Sequence, residues 1–236
     1  MFAYWLSLLL EREASSGDSD TRRELGALIG LLTPVAKTFL SENAFAVANL
    51  AIQIHGGHGY IRDHGVEQIV RDVRVAQIYE GTSGIQARDL LGRKVLGDGG
   101  GTLTGFLDRV RRDMRGGIAH LPAGLDHSLL DLCGELQQLT AHIGQTVRAE
   151  PDAVGAAGWD YLRALGHVTC AWLFARAAGL AQQRIDEGST DPFYAAKIAT
   201  ARFYFARLLP EARMHIEVAR SGAASLGTLA ENHLFV

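Results

Sequence analysis

Two turns carry the residues of this sequence that could do chemistry. The second of them is Tyr79-Glu80-Gly81-Thr82, where a carboxylate is followed at once by a residue with no side chain. A positioned carboxylate can act as a general base, and the neighbouring glycine lets backbone come close to a ligand. Ser83 and Gly84 then open a helical run, whose first N–H groups could meet a phosphate. The first turn, Gly56-Gly57-His58-Gly59, follows an apolar helical run that ends Gln53-Ile54-His55. Gln53 and Glu80 are twenty-seven positions apart.

Taken one at a time, these features have ordinary structural uses. Gly56, Gly57 and Gly59 serve as well for a helix C-cap and a turn. Glu80 could complement the dipole of the following helix, and Thr82 or Ser83 could be its N-cap. His55 and His58, with Asp63 and His64 nearby, do not have the spacing of a zinc site, so no metal is expected there. The chain has no Walker-type GK[ST] loop, and no Ser-His-Asp arrangement can be proposed from it.

The elements that must position these residues are helices. Hydrophobic residues make up 47% of the 236 positions and charged residues 21%, an ordinary globular balance. The net charge of −3, without a basic block, argues against a nucleic-acid footprint. Cys133 and Cys170 lie far apart on helical patterns, which fits a reducing, cytoplasmic setting rather than a disulfide framework. The apolar start, MFAYWLSLLL, is too short to span a bilayer and lacks a basic n-region, so it is expected to be a buried helix.

Thr21 and Glu24 form a capping-box signal. Leu25, Leu28, Leu32, Val35 and Phe39 then keep a three-to-four spacing that continues through Val47, Leu50 and Ile54, with a kink expected at Pro34. A turn or two of helix is expected between Gly59 and Tyr79, and a helix from Ser83 to about Leu96. Gly97-Asp98-Gly99-Gly100-Gly101 reads as a flexible linker and a domain boundary. Beyond it four more helices are expected: 103–115, a second along Leu125 to Ile143, a third from Trp159 to about Glu187, and a fourth from Pro192 to about Ser221 with a kink at Pro210. No long period-2 alternation occurs, so the fold class is all-α: an antiparallel helical bundle over 1–96, a linker over 97–101, and a second helical bundle module over 102–236.

The combination QIHGGHGY, then RDVRVAQIYEGTSGIQ, resembles the C-terminal domain of the acyl-CoA dehydrogenase family. The extension YEGTSGIQARDLLGRKVL and the helical module after it resemble the branch that includes (methylthio)propanoyl-CoA dehydrogenase-like enzymes. The resemblance implies FAD as cofactor, an acyl-CoA substrate dehydrogenated to a 2-enoyl-CoA, a homodimer or a partner N-terminal chain, and electron-transferring flavoprotein as electron acceptor.

Residue by residue, it implies that Glu80 is the base for the α-proton, expected to lie buried beside flavin and acyl chain. Tyr79 and Gly81 would stand at the thioester, and Thr82, Ser83 and Gly84 would touch FAD. Gln53, Ile54, His55, Gly56 and Gly57 would meet the adenosine end of the FAD bound to a neighbouring subunit. Gly84 departs from the family pattern, which often has a polar side chain there. The family's N-terminal helical domain and β-domain have no counterpart in these residues, so the chain is expected to be catalytically incomplete alone. A silent helical assembly module is the alternative.

Overall fold

The computed structural model describes residues 1–226, and among them every regular element is a helix. They are α1 Phe2–Ser15, α2 Ser19–His55, α3 Gly57–Tyr60, α4 Val66–Arg74, α5 Ser83–Arg88, α6 Gly101–Arg112, α7 His127–Thr146, α8 Ala153–Asp186, α9 Pro192–Phe203 and α10 Glu211–Arg220. The all-α class expected from the periodicity is the observed one. The last ten positions of the 102–236 module lie outside the described residues.

Local chemistry sets most boundaries. Asp18, not Thr21, is the N-cap of α2. Its carboxylate accepts from the Thr21 N–H at 2.9 Å and from the Thr21 hydroxyl at 2.6 Å, so the expected capping box gives way to a simple aspartate cap. Asp191 caps α9 through the Phe193 N–H at 2.9 Å, with Pro192 in the first turn where its missing N–H is harmless. Gly188, at φ 95°, ends α8. α8 begins at Ala153, well before Trp159, its three alanines (Ala153, Ala156, Ala157) favouring helix despite Gly155 and Gly158. Pro34 lies within α2 without ending it. Pro210 instead separates a π-helical turn, Tyr204–Leu208, from α10.

The helix after Ser83 changes character at Asp89, passing into a π-helical turn to Val95 and a 3₁₀ turn to Asp98. The glycine-rich segment that follows is a hydrogen-bonded turn rather than a loose tether. Gly99 and Gly100 take φ 66° and 81°, and the Asp98 carboxylate accepts from the N–H groups of Gly100 and Thr102 at 2.9 and 2.8 Å. Burial opposes the charge on Asp98, but the Thr102 side chain together with these N–H groups outweighs it and holds the carboxyl below the usual aspartate range.

One hydrophobic core runs across that turn. Leu31, Leu32, Val35 and Phe39 of α2 join Leu103, Phe106 and Leu107 of α6, Leu132, Leu136 and Leu139 of α7, and Tyr161, Leu165 and Trp172 of α8. The expected burial of α1 is met on one face. Phe2 and Leu9 are buried, and Trp5 meets Trp172 edge-on at 4.8 Å. α8 is the central helix, and its small residues admit its neighbours: a Cβ at Gly166 would stand 2.2 Å from the Phe39 ring. α2 and α8 are both long and apolar enough to cross a membrane, but 72% of the most apolar window of α8 is buried in this core.

The apolar stripe of α2 is core only as far as Ser41, with Ala48 beyond it. Val47, Leu50 and Ile54, expected to continue the buried face, are 66%, 58% and 83% exposed. The short α3 and α4 pack against α2, yet these three side chains stay exposed.

Candidate active site

Glu80 is the one non-glycine residue at positive φ among the described residues, with φ 55°. A side chain in the left-handed region costs about 1 kcal/mol or more, so the surroundings must hold it there. They do so through backbone carbonyls. Gln86 Nε2 donates to the Glu80 carbonyl at 2.9 Å, and Lys37 Nζ donates to the Gly81 carbonyl at 2.5 Å. Gly81 has φ 91°, and a Cβ there would stand 2.8 Å from Gln86 Nε2, so only glycine fits the turn.

The same turn is tied to α2 a second time. Ser83 Oγ and Gln77 Nε2 each donate to the Glu42 carboxylate at 2.6 Å, and Arg74 in turn donates to Gln77. Lys37 and Glu42 therefore clamp the turn from one helix. Sequence reasoning missed both, along with Gln77 and Gln86. The available signal was weak: Lys37, Thr38, Ser41 and Glu42 interrupt an apolar helical face just where it meets the turn.

Glu80 and Tyr79 stand at the edge of a cleft of about 390 Å³ between α1 and α2, with Leu6, Leu10, Ala36 and Leu40 among its lining. The cleft is mostly apolar, with Glu80 and Lys37 among its lining residues. Glu80 itself is exposed, so the burial expected of a base beside its substrate is not supplied by these residues. Thr82 begins α5 without a side-chain cap. A Cβ at Gly84 would meet nothing within 4 Å, so open space lies against the first turn of this helix.

Gln53, Ile54, His55, Gly56 and Gly57 do not join this site. All five are exposed at the far end of α2. Sixteen residues of straight helix separate Lys37 from Gln53, or about 24 Å at 1.5 Å per residue. Gly56 turns the chain at φ 58°, and a Cβ at Gly56 or Gly57 would meet nothing within 4 Å. His58 and His64 lie edge to face at 5.2 Å, and neither belongs to a group of metal-ligand side chains among the described residues.

Comparison with known proteins identifies relatives of this chain by sequence. Residues 5–96 match the family model described as acyl-CoA dehydrogenase, C-terminal domain. Residues 106–230 match the model described as acetyl-CoA dehydrogenase C-terminal like. The chain is 36% identical over 213 residues to 3-methylmercaptopropionyl-CoA dehydrogenase of Ruegeria pomeroyi, covering 88% of this chain and 35% of that protein. It is 31% identical over 193 residues to the broad-specificity linear acyl-CoA dehydrogenase FadE5 of Mycobacterium tuberculosis, covering 76% of this chain and 31% of that protein. Isobutyryl-CoA dehydrogenase of Bos taurus is 40% identical over 90 residues, 38% of this chain and 20% of that protein. The chain thus spans about a third of the length of the first two relatives. With one family model over its clamped turn and the other over more than half its length, the chain belongs to the acyl-CoA dehydrogenase family.

Proposed function

We propose that this chain supplies the C-terminal helical part of an FAD-dependent acyl-CoA dehydrogenase, with Glu80 as the base that removes the α-proton of an acyl-CoA. The observation that carries this is the strained, clamped conformation of Glu80 at the edge of an apolar cleft. Strain of this kind persists only where the surroundings hold it, and it concentrates at functional sites. The cleft between α1 and α2 offers an apolar bed for an acyl chain, with Leu6, Leu10 and Leu40 beside Tyr79.

The residues present suit FAD as far as they go. The uncapped start of α5 and the open space over Gly84 give backbone N–H groups that a flavin or its phosphates could meet. FAD held against the start of α5 would supply the hydride acceptor for the β-carbon, and Glu80 would take the α-proton, leaving a 2-enoyl-CoA. As charge develops on the thioester oxygen, the Glu80 N–H can stabilise it. Lys37 and Gln86 keep the backbone at Glu80 and Gly81 aimed for this.

The exposed turn at Gln53–Gly57 serves the FAD of a second subunit, about 24 Å along α2 from its own clamped turn. That placement suits a dimer in which each chain completes its neighbour, and the uncovered Val47, Leu50 and Ile54 supply an apolar contact beside it. Electrons would pass on to an electron-transferring flavoprotein. Both thiols are free, and burial pushes Cys133 and Cys170 up to about 12, which accords with inert cysteines in a reducing, cytoplasmic compartment. The exposure of Glu80 favours a second reading, in which the chain alone is an assembly module without turnover.

The test is Glu80→Gln in the reconstituted enzyme, assembled with the flavin- and substrate-binding portion that the longer relatives carry. The variant should bind FAD and acyl-CoA, yet substrate should reduce the flavin about 10² to 10⁴ times more slowly. Flavin bleaching at the wild-type rate would assign the base to another residue.

A further inference from the structure

A second group of chemistry-bearing side chains lies where α8 and α10 pack, independent of Glu80. Glu211 and His215 are four residues apart, so one face of α10 presents both. His167 faces them from α8. One ligand atom from each residue lies within 4.8 Å of the other two.

No hydrogen bond joins His167 to Glu211 in this cluster. The Glu211 Oε2 stands 3.5 Å from His167 Nε2. That nitrogen is buried and has no hydrogen-bond partner, although the histidine is only 3% exposed. An unpaired ring nitrogen in a core is costly, and a separation of 3.5 Å does not repair it.

The opposite nitrogens, by contrast, are engaged. His215 Nδ1 lies 2.7 Å from Asp160 Oδ1. An ionised carboxylate only accepts, so Nδ1 carries the proton and the Nε2 lone pair is the one left to offer. His167 Nδ1 lies 3.1 Å from the Tyr204 hydroxyl. A carboxylate or hydroxyl behind each imidazole is the outer-shell arrangement that orients metal-bound histidines.

We propose that His167, Glu211 and His215 form a binding site for a divalent first-row transition ion of the zinc class. Two imidazoles and one carboxylate suit such an ion, whereas calcium and magnesium prefer all-oxygen sets. Arg163 lies one turn away on α8, and the two carboxylates of Glu211 and Asp160 outnumber its one guanidinium. The Arg163 guanidinium is itself engaged, with Asn43 Oδ1 at 3.2 Å and the Phe39 ring at 4.6 Å.

Tetrahedral ligands about 2.1 Å from zinc lie about 3.4 Å apart, so from separations of up to 4.8 Å the cluster must close by up to about 1.4 Å. The Glu211 side chain is 46% exposed, which gives it room to swing inward and gives the ion an entry path. Three protein ligands leave a fourth position for water. The ion would clip α10 to α8, fixing the last described helix onto the core.

The test uses the full 236-residue chain, untagged and stripped with chelator, titrated with Zn²⁺ by calorimetry and with Co²⁺ by visible absorption. The wild type should bind about one equivalent, and the melting temperature should rise with added Zn²⁺. Asp160→Asn should weaken binding about 10- to 100-fold. Glu211→Gln and His215→Gln should each weaken it at least about tenfold, with circular dichroism matching the wild type. The half-exposed Glu211 can be changed without opening the core, so its result decides the matter even if His215→Gln does not fold. Absence of saturable Zn²⁺ binding by the wild type would overturn the site. So would undiminished binding in Glu211→Gln, which would place the ion on surface histidines.

Discussion

Lys37 Nζ donates to the Gly81 carbonyl at 2.5 Å across forty-four positions of sequence. The bond joins the middle of the longest described helix to the turn that carries Glu80. Removing the amine by Lys37→Met should leave that half-buried carbonyl unpaired and lower stability by about 1 kcal/mol. Urea denaturation would show it as a lower midpoint with an unchanged slope. An unchanged midpoint would mean that the turn is held by Gln86 and Glu42 alone.

Glu80 offers a test of strain separate from chemistry. Glycine accepts positive φ freely, so Glu80→Gly should cost no stability and could add about 1 kcal/mol, while abolishing flavin reduction in the reconstituted enzyme. A marked loss of stability would show that the Glu80 side chain holds the turn rather than being held by it.

Gly166 gives the opposite result from a routine helix substitution. Glycine to alanine within a helix normally stabilises by about 1 kcal/mol. Here the new Cβ would stand 2.2 Å from Phe39 Cδ2, so Gly166→Ala should instead destabilise by about 1–3 kcal/mol. Thermal melts of the two proteins would settle the sign. Pairing the change with Phe39→Leu should recover part of the loss.

The acid limb of the stability profile should contain Asp98. Its carboxyl is held below the ordinary value of 3.8, so the folded chain binds fewer protons there than the unfolded chain does. Its contribution is therefore complete above about pH 4 and fades as pH falls through the lowered folded value. Asp98→Ala should destabilise the chain at neutral pH and flatten the profile below pH 4. Parallel slopes for the two proteins in that window would remove Asp98 from the account.

The uncovered stripe on α2 should drive association. Ile54→Lys places a charge at its C-terminal end without touching the core, since Ile54 is 83% exposed. Sedimentation velocity at micromolar concentration should show an associated wild type and a monomeric variant. A monomeric wild type would contradict the dimer proposed above.

Much of the site was legible because its parts are contiguous. Tyr79 to Gly84 is a single run, and its residue types alone mark a turn with an acid followed by a helix start. The clamp was not legible, because Lys37–Gly81 and Glu42–Ser83 pair residues more than forty positions apart. Neither partner on α2 differs in type from an ordinary surface charge. The exposure of Glu80 was equally hidden, since burial depends on what packs over the turn and not on the turn itself.

The sequence by itself determined the helical class, several of the places where helices stop and the contiguous run Tyr79 to Gly84 of the candidate site. Those depend on interactions within about four residues: the Asp191 cap, the Pro192 start, the positive φ of Gly188 and Gly56. Only the tertiary structure decided which apolar faces were covered. The same three-to-four spacing is core at Leu32 and Val35 and open surface at Val47 and Leu50. Periodicity defines a face, but α8 runs alongside only part of α2. Tertiary packing also decided that His167 meets Glu211 and His215 across forty-four residues or more, because α10 folds back on α8. Such a convergence follows from where helices dock, and no local pattern in the chain encodes it.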